Sequence, residues 1–171
     1  DLDSISAASL SRARECAARV VEHPRDKDAT DAELALCVAM EHSVDSIHVI
    51  SGGGDRLDHV LGALHILGTP ALSGIRVSCT TGDTHIHVAT SHHPANVDVR
   101  IGETVSLLPV GGSVHVVSTS GLRWGLTDEV LNPFSSRGIS NVATQPTVTV
   151  EVAAGVLFVI RPHHHTEGVT L

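Results

Sequence analysis

The stretch Ser46-Ile47-His48-Val49-Ile50-Ser51-Gly52-Gly53-Gly54-Asp55-Arg56-Leu57-Asp58-His59-Val60-Leu61 sets the fold of the first half of the chain. Its opening residues, 46 to 50, form a short run rich in branched side chains that predicts a strand, and the glycines 52 to 54 predict a loop. Apolar residues then recur at Leu57, Val60, Leu61, Leu64 and Leu67, the spacing of one helix face. Strand, glycine loop and helix together suit a phosphate group: glycine lets the backbone approach closely, and a helix start offers free N–H groups. The loop has neither the GK[ST] ending of a Walker A sequence nor the spacing of a dinucleotide fingerprint, so neither family is indicated.

Outward from this stretch the chain divides by period. From Asp1 to about Ala89 the pattern alternates helices with short apolar strands, which predicts an α/β half with a mostly parallel sheet and flanking helices over residues 1–90. Beyond Ser91 the period becomes two, at Val97, Val99 and Ile101 and again at Val148, Val150 and Val152. Gly111-Gly112 and Ala154-Gly155 are the expected turns, so residues 91–171 read as an antiparallel β domain. Its final run, Val156 to Ile160, predicts a strand buried on both faces or at a sheet interface. Ser91 to Asn96, polar and containing Pro94, is the expected linker.

Composition narrows the function. Of 171 residues, 42% are hydrophobic and 18% charged, ordinary usage for a packed protein. The net charge of -8, with basic residues scattered, argues against a general nucleic-acid binder. With no Tyr, two Phe and one Trp, a platform for stacking successive bases is also disfavoured. Cys16, Cys37 and Cys79 have no CxxC spacing, so neither a disulfide framework nor a structural zinc site is indicated, and a reducing cytoplasm is the expected setting. No long apolar run or leader is present, so no membrane partner is expected. The chain opens on Asp1 without Met, and a missing N-terminal strand and helix is the expectation.

Several segments carry chemistry, each beside a plainer reading. Asp1 and Asp3, spaced by one residue, point the same way in an extended segment and can hold Mg²⁺, or they are a solvated acidic end. Thr30 and Glu33 make a capping box for the helix that follows, with Asp31 complementing its dipole. Capping does not require Lys27 and Asp28, which also suit nucleotide phosphates and their metal. Gly53 and Gly54 permit close approach to phosphate, Arg56 can fork onto phosphate oxygens, and Asp58 can act as metal ligand, orienting group or base. The plainer alternative is a glycine loop with an N-capping Asp. In the β half, Trp124 is either core or a surface on which a flat cationic heterocycle stacks, with Ser140 and Asn141 supplying polar contacts. His85, His87 and the run His163 to His165 have no carboxylate or Cys at ligand spacing and are read as solvent-facing.

Taken in order, Asp-Leu-Asp-Ser at 1–4, Lys-Asp-Ala-Thr-Asp-Ala-Glu at 27–33, Gly-Gly-Asp-Arg-Leu-Asp-His at 53–59, and Gly-Leu-Arg-Trp at 121–124 with Ser140-Asn141 resemble the thiamine pyrophosphokinase family. The resemblance covers nearly the whole chain; a Gly before the first motif and an earlier Ala-Asp-Gly-Gly-like motif are not in it. It implies an α/β catalytic domain followed by a thiamine-binding β-sandwich, and a homodimer with active sites between subunits. It further implies transfer of pyrophosphoryl from ATP to the hydroxyl of thiamine, with Mg²⁺ as cofactor. By motif, Asp1, Asp3 and Asp31 are metal residues, and Lys27, Thr30, Gly53, Gly54, Arg56 and His59 contact ATP. Asp31, Arg56 and Asp58 are catalytic, and Trp124, Ser140 and Asn141 hold thiamine. The alternative is a non-catalytic thiamine- or nucleotide-binding module.

Overall fold

The computed structural model describes residues 5–51 and 56–162, in two compact units, 1–43 and 44–171. Asp1, Asp3, Gly53, Gly54 and the histidines 163 to 165 lie outside the described residues. In the first unit, helix α1 (Ala7–Glu15) is capped by Ser6, whose side chain accepts from the Ser9 N–H at 3.1 Å. Helix α2 (Asp31–Glu41) starts where its capping box predicts, with the Thr30 half of the box formed: Thr30 Oγ1 accepts from the Glu33 N–H at 3.3 Å, and Asp31 and Glu33 occupy the first turn.

The second unit opens with strand β1 (Ser46–Ser51) and helix α3 (Leu57–Leu67), the elements that the opening stretch predicts. Only part of the apolar face of α3 is covered: Leu67 is buried, while Leu57 and Leu61 are exposed. A short 3₁₀ turn (Pro70–Leu72) leads to β2 (Arg76–Thr81), β3 (Thr84–Ala89) and β4 (Ala95–Asp98). The long strands β5 (Thr104–Ser120) and β8 (Thr147–Arg161) carry β6 (Thr127–Leu131) and the two-residue β7 (Asn141–Val142) between them in sequence.

The sheet is mixed, not mostly parallel. Strands run β1-β2-β3-β8-β5-β6, with β4 on β8 and β7 on β5, and the only parallel pair among the described strands is β1–β2. The reason is local. A parallel neighbour needs a crossover such as the one α3 provides between β1 and β2, whereas β2 and β3 are joined by a tight turn at Gly82-Asp83, which permits only an antiparallel hairpin.

The two expected turns in the β half are also something else. Gly111 and Gly155 have φ of +73° and +88° but lie inside β5 and β8, where the ladder shifts register. A Cβ at Gly155 would fall 2.7 Å from Ser113 O, so the strands approach too closely for a side chain there. At these bulges the buried parity changes: Val148, Val150 and Val152 face the main core before Gly155, and Leu157 and Val159 after it. On β5 the same core takes Val105 and Leu107, then Val114 and Val116. Phe158, 1% exposed, lies on the opposite face beside Val88, so the end of β8 is buried on both sides as its apolar run predicts. Of the expected linker, Ala95 and Asn96 belong to β4, and Ile101 lies past that strand, exposed in a turn with Gly102.

Candidate functional site

Two groups of the residues singled out from sequence can be built in detail, and a third falls in the first unit. In that unit Lys27 Nζ, in the loop before α2, meets Asp31 Oδ1 in its first turn at 2.6 Å. The Lys27 ammonium holds the Asp31 carboxyl below the usual range, so Asp31 is anionic at neutral pH. Thr30 Oγ1 already accepts the cap bond from Glu33.

At the start of α3 the N-cap position is Arg56, with no side-chain cap bond, so an N-capping Asp is not the explanation among the described residues. Its guanidinium instead forks onto Asp58, Nη2 to Oδ2 at 2.6 Å and Nε to Oδ1 at 3.2 Å. The Arg56 bond holds the Asp58 carboxyl down to about 2, and His59 adds to that. The pairing raises Arg56 correspondingly. Arg56 and Asp58 are 67% and 64% exposed, and His59 beside them is exposed. An exposed fork of this kind contributes little to stability, and its donors can turn to an incoming anion.

The second group surrounds Trp124, which is 56% exposed and is therefore not core. A cavity of about 210 Å³ is lined by Trp124, Leu126, Arg137, Gly138, Ile139 and Asn141 among others. Two glycines shape the backbone around it. Gly121, at φ +75°, turns the chain hard against Thr147 O, and Gly138, at φ +95°, would put a Cβ 2.7 Å from Leu107 O. Ser140 also has positive φ, +58°, and is tied down by its N–H donating to the buried Ser106 Oγ at 3.0 Å. Arg137 donates from Nε to Glu129 Oε2 at 2.9 Å and also from Nη2, so its charge is neutralised beside the cavity. Arg123 lies over one face of the Trp124 ring, 5.1 Å from its centroid.

Asn141 is 3% exposed and both ends of its amide are bonded. Oδ1 accepts from the N–H of Trp124 at 3.1 Å and of Val142 at 2.9 Å, while Nδ2 donates to Trp124 O at 2.7 Å. The roles of Arg123, Gly138 and Ser106 were not singled out from sequence. A positive-φ glycine gives only a generic turn signal, and Ser106 lies 34 residues before its partner.

The sheet also carries a polar row across three strands. His48 meets Ser78 Oγ at 2.7 Å and Thr80 Oγ1 at 3.1 Å, and Thr80 Oγ1 meets His85 at 3.1 Å. His85 and His87 are half-buried rather than solvent-facing, and burial, followed by the Arg161 charge, pushes His87 below the usual imidazole range. Among the described residues no group of three His, Cys, Asp or Glu is placed to hold a metal ion. No described helix is long and apolar enough to cross a membrane.

Residues 1–79 match the family model described as the catalytic domain of thiamin pyrophosphokinase, and residues 83–157 match the vitamin B1 binding domain of the same enzyme. A thiamine pyrophosphokinase of Bacillus subtilis is 27% identical over 164 residues, 94% of this chain and 75% of that protein. A rice protein named thiamine pyrophosphokinase 1 is also 27% identical, over 94% of this chain but only 63% of its own length. The crystal structure of the B. subtilis enzyme superposes with a TM-score of 0.77 at 24% identity, covering 96% of this chain and 76% of that one. The Arg56–Asp58 fork falls within the catalytic match and the Trp124 cavity within the vitamin-binding match, in that order along the sequence: the chain belongs to the thiamin pyrophosphokinase family.

Proposed function

We propose that this chain transfers the pyrophosphoryl group of ATP to the hydroxyl of thiamine, giving thiamine diphosphate and AMP. The observation that carries this reading is the succession of a catalytic match and a vitamin B1-binding match along nearly the whole chain, with the charged fork in the first and the half-open Trp in the second. The functional boundary is placed near residue 90, with ATP handled by residues 1–90 and thiamine by a β-sandwich over 91–171.

The thiamine hydroxyl oxygen forms a bond to the β-phosphorus of ATP and gives up its proton to water, while the bond from that phosphorus to the bridging oxygen of AMP breaks. Such transfers ask the protein mainly for positioning and charge neutralisation. Arg56 turns from Asp58 to the transferring group and stabilises the charge that develops there. Lys27, Thr30, Gly53, Gly54 and His59 are assigned to the ATP phosphates. Asp58, held at about 2, is a weak proton acceptor at neutral pH and is better suited to orient Arg56 than to serve as base. Asp31, also lowered, suits a cation for the same reason.

Mg²⁺ is the proposed cofactor. The fit rests on donor chemistry: Asp31 is an exposed, ionised carboxylate, the oxygen donor a hard cation prefers, and Asp1 and Asp3 would complete the set. When bound, Mg²⁺ would neutralise phosphate charge. At the other substrate, Trp124 stacks the cationic heterocycle, with Ser140 and Asn141 beside it. A cavity of about 210 Å³ is below the roughly 300 Å³ at which pockets begin to enclose whole drug-sized ligands, so this one grips a ring rather than the whole molecule. A homodimer with active sites between subunits, acting in the cytoplasm, completes the proposal.

The test is AMP release from ATP and Mg²⁺ with and without thiamine. Thiamine-dependent AMP is the expected result; binding of thiamine without any turnover, in the same protein shown to be folded, would overturn it.

A further inference from the structure

The geometry points to Asn141 as a positioning residue that fixes Trp124 for its ligand by bonding both ends of that residue's backbone. This deepens the thiamine assignment above and rests on it. A side-chain amide is neutral and carries its acceptor and its donor on separate atoms, so it can accept from an N–H and donate to a C=O of the same residue, and here it does both, at 3.1 and 2.7 Å. The orientation of the amide is fixed by its partners, because the Trp124 and Val142 N–H groups require the oxygen and the Trp124 carbonyl requires the nitrogen.

Pinning matters because the ring itself has little to hold it. Trp124 is more than half exposed, and the contact described on its faces is the Arg123 guanidinium over one of them. A ligand therefore stacks on the other face, and the direction of that face follows from the backbone that Asn141 holds. Asn141 is itself anchored: it starts β7, where it pairs with Val105 on β5, and it is almost wholly buried. The burial means that any replacement must leave the Trp124 N–H or C=O without this partner.

The experiment compares Asn141→Asp and Trp124→Ala with the unaltered chain, reading kcat, the KM for thiamine, and emission from the single Trp. Asn141→Asp keeps the shape and the acceptor but loses the donor to Trp124 O. It is expected to raise the KM for thiamine about tenfold with kcat within about twofold, and to shift the Trp emission and reduce its quenching by thiamine. A folded Asn141→Asp with unchanged KM and emission overturns the inference. A second readout needs no variant: in the unaltered chain the Trp124 amide proton should exchange with solvent at least about 100-fold more slowly than an unprotected one, despite the exposed ring. Exchange at the unprotected rate also overturns the inference. If Trp124→Ala leaves the KM for thiamine unchanged, the thiamine assignment fails and this inference with it. If only Asn141→Asp is silent, the assignment stands and the inference alone fails.

Discussion

Arg56 and Asp58 stand about two-thirds exposed and hold each other, whereas Trp124 is held by a buried amide, and two positive-φ glycines shape the backbone around it. The first arrangement keeps charge near its resting partner until a stronger anion arrives. The second sets geometry before any ligand is present. The difference is what the proposed chemistry asks of each end. A polyphosphate is bound by charge that must reorganise around it, while a flat ring is bound by a surface whose tilt is already right. It follows that changes at the fork should alter turnover without altering stability, and changes at the Trp corner should alter stability and affinity first.

The largest expected effect is at the fork. Arg56→Ala should lower the rate of AMP formation roughly 100- to 1,000-fold, the usual consequence of removing one donor to developing charge, while the thermal midpoint stays within about 1 °C. Steady-state kinetics and a melting curve on one sample check both halves, and a large drop in midpoint would erase the contrast. Gly138→Ala comes next and should do the reverse. The new Cβ meets Leu107 O and the φ of +95° is strained for alanine, so about 2 kcal/mol of stability should be lost, near 4–8 °C in a chain of this length. Trp124→Ala should be smaller, raising the KM for thiamine roughly tenfold, since losing a cation–π stack costs about 1–2 kcal/mol. A fall in midpoint with no change in KM would return Trp124 to a packing role.

The smallest effect is in pH. The folded Asp58 carboxyl, near 2, is lower than the value of about 4 expected in an unfolded chain. The stability it contributes is therefore complete above pH 4 and is lost as pH falls towards 2. Asp58→Asn should flatten only that acid limb, and slightly, because the pair is exposed. The rate should show no limb from Asp58 between pH 5 and 9; a limb there would mean that the fork opens and releases a carboxyl with an ordinary or raised value.

How much of this was readable in the sequence depends on how local the signal was. The β1 strand, the α3 helix and the Thr30 cap follow from neighbours within a few residues, and the structure has them where the pattern puts them. The same holds for the alternation Val148, Val150 and Val152 and for the doubly buried end of β8. The mixed sheet was missed because helix-strand alternation suggests crossovers and carries no weight for the hairpin at Gly82-Asp83. Gly111 and Gly155 were misread as turns because glycine marks a positive φ without saying whether the chain reverses there or only bulges. At the site, Trp124 and Asn141 stood out by type. That the amide grips the Trp backbone depends on β7 pairing with β5, which brings together residues 17 apart, and no local pattern carries that. The histidine row is the same kind of case, since Thr80 joins His48 to His85 across three strands.

The close approach at Gly155 bears on how the protein avoids mistakes. Strands of 15 and 17 residues with apolar alternation can slide past each other by two residues and still match inside to inside. In this ladder such a slide would carry a side chain into the gap that only Gly155 fits, against Ser113 O. The bulge therefore acts as a key in a lock, admitting one alignment of β5 with β8 and disfavouring its neighbours.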